Sequence, residues 1–155
     1  MRRIRRLIVV SLLASTTPAY SQQSKSTSYS CVEEFAGGGQ YNFATKRWEG
    51  SSFRTKDDNS KFILRMTFID RANDYNISIT PWGSNGPADC RGSDGSKIVT
   101  AAFGVLICST SPVQVYVVNP FTNRFFHIYT AGYITDLDNN GDTPYMAGGT
   151  CTKIE

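Results

Sequence analysis

The sequence is poor in the residues that most catalytic and metal sites require. It contains one histidine, His127, and its four cysteines include no C-x-x-C pair, so the ligand spacing of a zinc site is absent. No serine lies in a G-x-S-x-G frame, and no segment shows the period of an amphipathic helix. These absences argue against a zinc protein, a serine hydrolase of that type and an all-α fold.

Long apolar runs are also missing after the N-terminal region. The short run Leu7–Ala14 follows four arginines, and Ala19 and Ser21 then have the small-residue spacing of a signal-peptide cleavage site. A membrane-spanning helix needs roughly 20 apolar residues, which this run does not reach. We therefore predict that residues 1–21 are a cleaved signal peptide, and that the mature protein is periplasmic or secreted.

The mature chain has no excess of positive charge. The sequence contains 16 basic and 13 acidic residues, and removal of the four signal-peptide arginines leaves 12 basic against 13 acidic side chains, a net charge of −1. Such a surface has no general electrostatic attraction for nucleic acid or anionic lipid. We expect neither a nucleic acid nor a membrane as partner, and we expect a monomer.

The four cysteines are even in number and are expected to enter an oxidising compartment, which predicts two disulfides. Four cysteines allow three pairings, and the sequence does not choose among them. We favour Cys31–Cys151, which would tie the two ends of the domain, together with Cys90–Cys108.

The apolar residues after Cys31 follow a period of two, which is typical of strands. In "KFILRMTFID", Phe62, Leu64 and Met66 share one face, and in "YNISIT", Ile77 and Ile79 do the same. "KIVTAAFGVLIC" is apolar on both faces and predicts a central strand, with Gly104 as the site of a bend or a bulge. Further strands are predicted in "VQVYVV", "RFFHIYTAGYI" and "GTCTKI".

Many short strands separated by turn residues predict an all-β fold. We expect a single antiparallel β-sandwich or small β-barrel, cross-linked by disulfides, over residues 31–155. Residues 22–30, "QQSKSTSYS", are polar and are predicted to form a loose leader.

Spaced landmarks run through most of the mature chain: Cys31, Trp48 followed by "KFIL", Cys90, Cys108, "RFF", "AGY" and "DTPYMAGGTCTKI". On these landmarks the chain resembles a group of small exported bacterial proteins with four cysteines. The resemblance implies export and a single domain, and it implies no activity and no site residue.

The segment "DLDNNGD" matches the first half of a calcium-binding loop. Asp136, Asp138 and Asn140 occupy loop positions 1, 3 and 5, and the backbone carbonyl of Asp142 would serve position 7. Position 12 is Ala147, which cannot supply the bidentate carboxylate of an EF-hand. The segment is either an irregular calcium site or a hairpin turn formed by its Asn-Gly pair; no other cofactor is expected.

His127 alternates along its strand with Phe125 and Tyr129. If the neighbouring residues face the core, these three side chains form an exposed patch. In the opposite register His127 is a structural residue, and an isolated histidine without a surrounding catalytic frame favours that interpretation.

Two pairs of adjacent carboxylates, Glu33-Glu34 and Asp57-Asp58, are poor candidates for acid–base catalysis. Sequence neighbours on a strand point to opposite faces, so neither pair converges on one bond. We expect these charges to be solvated.

The sequence therefore predicts a non-enzymatic binding protein for a glycan, a small ligand or calcium. Trp48 and Trp82 lie beside turns, where they are candidates for stacking on sugars, although the composition favours the alternative that they cover the ends of the core. Two alternatives remain open: a protein inhibitor of a cell-wall enzyme, which would use the acidic "DLDNNGD" loop, and a hydrolase that uses His127.

Overall fold

The structure, a computed structural model, describes residues 25–55, 60–69, 74–131 and 143–154. The elements within these ranges are strands. No helix among the described residues is long and apolar enough to cross a membrane. The strands, in chain order, are β1 (Ser26–Asn42), β2 (Arg47–Phe53), β3 (Lys61–Phe68), β4 (Asp74–Pro81), β5 (Ala88–Cys90), β6 (Val99–Thr100), β7 (Leu106–Ser111), β8 (Gln114–Asn119), β9 (Arg124–Tyr129) and β10 (Tyr145–Lys153).

The period of two in the sequence corresponds to the two faces of the sheet. In β3, Phe62, Leu64 and Met66 are buried while Arg65 between them is exposed. In β4, Ile77 and Ile79 are buried on the same side, since they pair with Met66 and Leu64. These two predicted strands are confirmed, and their apolar faces contribute to the interior of the fold.

The sheet is nearly closed into a barrel, which confirms the all-β prediction. Its hydrogen-bonded path runs β5-β4-β3-β1-β10-β9-β8-β7, with every pair antiparallel. The two ends of the path meet where Arg91 and Ser109 exchange backbone hydrogen bonds of 2.8 Å. An eight-stranded barrel has an interior just wide enough for side chains or for one small ligand.

Both predicted disulfides are present. Cys31–Cys151 joins directly opposed residues of β1 and β10, which are separated by 120 positions in the sequence. Cys90–Cys108 joins β5 to β7 across the seam of the barrel. The first bond therefore ties the terminal strands together, and the second supports the closure at the Arg91–Ser109 backbone hydrogen bonds.

The sequence predictions were wrong about two strand boundaries. Ser26–Ser30, predicted as part of a loose leader, belongs to β1 and pairs with β3, because backbone hydrogen bonding to a neighbouring strand does not require apolar side chains. "KIVTAAFGVLIC" is not one central strand. It forms β6 and β7, separated by a turn in which Phe103 and Gly104 adopt positive φ values of 53° and 77°.

A β-bulge in β1 follows the inward-facing Glu33. The pairing with β10 shifts between Glu33, opposite Gly149, and Phe35, opposite Gly148. Glu33 faces inward because it alternates with Cys31, whereas the extra residue of the bulge turns Phe35 outward, where it covers Gly148. A Cβ atom at position 149 would lie 2.0 Å from the carbonyl oxygen of Val32, so only glycine fits opposite the bulge.

We predict that Gly149→Ala lowers the free energy of unfolding by about 1–3 kcal/mol or more, because the added methyl group would collide with backbone atoms that cannot move independently. Urea denaturation of the purified protein measures the effect. Gly50→Ala is the matched control, since a Cβ atom at position 50 meets nothing within 4 Å. Equal stability of the two variants would contradict the assigned role of Gly149.

Candidate functional site

Four polar side chains gather inside the barrel, and we call them the polar cluster. They are Glu33 of β1, Tyr116 of β8, His127 of β9 and Tyr145 of β10. His127 is 6% exposed and Glu33 is 8% exposed, so both ionisable groups are removed from bulk water. Buried groups of this kind require partners, which makes their contacts informative.

Glu33 and His127 contact each other directly. Oε1 of Glu33 lies 3.3 Å from Nδ1 of His127, and the Tyr145 hydroxyl lies 3.2 Å from the same nitrogen. A carboxylate can only accept hydrogen bonds, so the contact favours the hydrogen on Nδ1. In a neutral ring that assignment leaves Nε2 as an acceptor with a free lone pair.

Two tyrosine rings fix the orientation of the imidazole. Tyr116 stacks on His127 with ring centroids 4.4 Å apart and an interplanar angle of 5°. Tyr145 meets the same ring edge-on, at 5.2 Å and 83°. The histidine is therefore held by a carboxylate on one nitrogen, by a stacked ring on one face and by a second ring at its edge.

The two tyrosines remain phenols in this environment. Burial, and then the nearby Glu33 charge, raise the pKa of Tyr116 to about 12. Burial and the same carboxylate also raise the pKa of Tyr145. Both hydroxyls therefore keep their hydrogens at neutral pH and can donate hydrogen bonds.

The second imidazole nitrogen has no partner in the described structure. Nε2 of His127 is buried and makes no hydrogen bond with any described group. A buried polar atom left unsatisfied costs about 1–3 kcal/mol. A hydrogen bond from a water molecule or a ligand would satisfy this atom.

His127 lines a cavity of about 220 Å³ at the end of the barrel. Its walls include Phe62, Trp82, Gln114, Tyr116 and Tyr145. A neighbouring cavity of about 340 Å³ shares Glu33 and Tyr145 with it and is also lined by Arg54 and Ser60. The polar cluster thus lies between two spaces that can admit small molecules.

Of the two registers that the sequence allows for this strand, the structure has the favoured one, which buries His127, and the alternative of an exposed patch of Phe125, His127 and Tyr129 is wrong. Phe125 is 3% exposed and packs edge-on against Phe62 at 4.8 Å, while His127 is buried beside Glu33. The outward residue is Phe126, which is 40% exposed. The strand takes the opposite register because Phe125 fills the core and His127 finds a carboxylate partner inside it.

The prediction that the Glu33-Glu34 charges are both solvated is also wrong. The two side chains do point to opposite faces, but Glu33 is buried while Glu34 is exposed and accepts a 2.6 Å hydrogen bond from Thr150. Asp57-Asp58 lies outside the described residues.

The predicted calcium ligands Asp136, Asp138, Asn140 and Asp142 also lie outside the described residues. In the part of the chain that is described, no group of three or more histidine, cysteine, aspartate or glutamate side chains could hold a metal ion. The calcium hypothesis therefore stays a prediction from the sequence.

The two tryptophans lie in different places. Trp82 is 53% exposed and stands at the rim of the His127 cavity. Trp48 packs edge-on against Tyr41 on the β1–β2 hairpin, 5.7 Å between ring centroids. Only Trp82 therefore belongs to the candidate site.

Sequence reasoning identified His127 but missed Glu33, Tyr116 and Tyr145 as its neighbours. The inward position of Tyr116 could have been predicted, because Tyr116 lies on the same strand face as the apolar Val118. The pairing of β1 with β10 joins residues more than a hundred positions apart, and the bulge at Glu33 leaves no mark in the sequence.

Comparison with protein-family models, curated proteins and solved structures finds no match to this chain. The function must therefore be inferred from the chemistry of the site itself.

We predict that the burial of Tyr116 makes stability depend on alkaline pH. The pKa of Tyr116 in the folded protein is about 12, above the ordinary value of 10.0. The buried phenol therefore makes its full contribution to the free energy of unfolding below pH 10, and this contribution is lost as the pH rises towards 12. Between pH 9 and pH 11, wild type should lose about 1 kcal/mol more than Tyr116→Phe.

Urea denaturation at the two pH values measures this difference. Tyr41→Phe, on the β1–β2 hairpin outside the barrel interior, is the control and should lose as much stability as wild type. An equal loss in Tyr116→Phe and wild type would contradict the burial of an ionisable phenol at position 116.

Proposed function

We propose that the protein is an exported, non-enzymatic binding protein that holds a small organic ligand at the end of its barrel. The observation that carries the proposal is the buried, unpartnered Nε2 of His127 in a residue that lines a cavity of about 220 Å³. Ligand sites commonly combine apolar and aromatic walls with a few oriented polar groups, and this cavity has both.

The polar cluster is preorganised, which favours binding over a purely structural role. The imidazole is fixed by Glu33, Tyr116 and Tyr145 before any ligand arrives, so a ligand loses little free energy in ordering the site. A structural histidine would be expected to use both ring nitrogens within the protein.

An extracellular or periplasmic location is part of the proposal. The two disulfides, Cys31–Cys151 and Cys90–Cys108, are consistent with an oxidising compartment. The predicted signal peptide, residues 1–21, supports the same location.

A hydrolase that uses His127 is the second candidate, because a carboxylate beside Nδ1 is the arrangement that orients a general base. Neither serine nor cysteine is among the described residues lining the His127 cavity, so Nε2 would have to activate water or a substrate hydroxyl. Hydrolysis of p-nitrophenyl acetate that disappears in His127→Gln would favour this candidate over binding. The inhibitor alternative depends on the "DLDNNGD" loop, which lies outside the described residues.

We predict that small organic molecules raise the melting temperature of wild type and that His127→Leu abolishes the shift. The probes are a panel of phenols, indoles, purines, monosaccharides and short fatty acids, each measured by differential scanning fluorimetry. At a concentration one hundred times its Kd, a ligand adds about 2.7 kcal/mol, a shift of several degrees.

Phe126→Leu is the matched control, because residue 126 is the next position on β9 and faces outward. It should keep the full ligand shift. Since His127→Leu leaves the Glu33 carboxylate without its imidazole partner, circular dichroism must first show that this variant is folded. No shift with any probe, or equal shifts in both variants, would refute a binding site at His127.

A further inference from the structure

The size and walls of the His127 cavity restrict the ligands that fit beside the ring. A cavity of about 150 Å³ accommodates benzene. A space of about 220 Å³ is therefore large enough for a molecule of roughly nine non-hydrogen atoms, such as a fused aromatic ring. Aromatic side chains, Phe62, Trp82, Tyr116 and Tyr145, line much of the cavity and favour a planar aromatic partner.

The groups around the imidazole determine which ring nitrogen donates a hydrogen bond and which accepts one. Glu33 accepts at Nδ1, and no described group offers an acceptor to Nε2. In a neutral ring, the carboxylate accepts the hydrogen on Nδ1, and Nε2 then carries the lone pair.

We propose that Glu33 acts as a positioning residue that makes Nε2 of His127 a hydrogen-bond acceptor, so that the cavity selects small planar aromatic molecules carrying an N–H or O–H donor. The inference rests on the proposed function and adds the chemical class of the ligand. A donor group of the ligand satisfies Nε2, whereas an isosteric ligand with only an acceptor places two lone pairs against each other.

Indole and benzofuran test the selection directly. The two molecules have nearly the same shape and nine ring atoms, but indole presents an N–H where benzofuran presents an oxygen. Isothermal titration calorimetry with wild type should give an affinity for indole about tenfold or more above that for benzofuran, because the mismatched ligand leaves a buried acceptor unsatisfied.

Glu33→Gln tests the positioning role. A glutamine can accept from Nδ1–H or donate its own N–H to Nδ1, so both tautomers of His127 become compatible with the site. We expect the ratio of the indole affinity to the benzofuran affinity to fall towards one in this variant, even where both affinities change. Glu34→Gln, on the outer face of the same bulge, is the control and should keep the wild-type ratio.

The outcomes separate this inference from the proposed function. Tighter binding of benzofuran, or equal binding of both probes, would overturn the selection of donors while leaving a ligand site at His127 intact. An unchanged ratio in Glu33→Gln would remove Glu33 from its positioning role. Failure of both probes to bind at millimolar concentration would overturn the aromatic ligand class, whereas the wider panel and His127→Leu decide whether the cavity binds ligands at all.

Discussion

The contact between Glu33 and His127 is the constraint on which the polar end of this barrel depends. It places a carboxylate and an imidazole in an interior that is otherwise filled by aliphatic and aromatic groups. Such a pair is stable only where its remaining hydrogen-bonding atoms are satisfied, because the cost of desolvation is large. The hydrogen on Nδ1 is accepted by the Glu33 carboxylate and by the Tyr145 hydroxyl oxygen, and Nε2 has no partner among the described residues.

The backbone brings this pair together through the junction of the first and last strands. Glu33 faces inward in alternation with Cys31, the bulge after it turns Phe35 outward, and Gly149 gives the backbone the space that the bulge needs. The neighbouring disulfide, Cys31–Cys151, fixes the same junction covalently. The geometry of the candidate site and the closure of the terminal strands therefore have a common physical origin.

The period of two allowed the strands and the buried faces of β3 and β4 to be predicted, because alternate apolar side chains in those strands pack into the barrel. Both disulfides were also predicted correctly, from the position of Cys31 and Cys151 near opposite ends of the domain. The register of β9 was not determined by its own sequence, since Phe125 and Phe126 are equally suited to the core. The choice depends on contacts made with Phe62 and Glu33, which lie far away in the chain.

Because His127 is the only histidine in the chain, nitrogen-15 NMR of the labelled protein reports on a single imidazole. A long-range nitrogen–proton correlation spectrum distinguishes a ring nitrogen that carries hydrogen from one that carries a lone pair. We expect hydrogen on Nδ1 and a lone pair on Nε2, with the Nε2 signal shifting when indole is added. Hydrogen on Nε2 in the ligand-free protein would contradict this expectation.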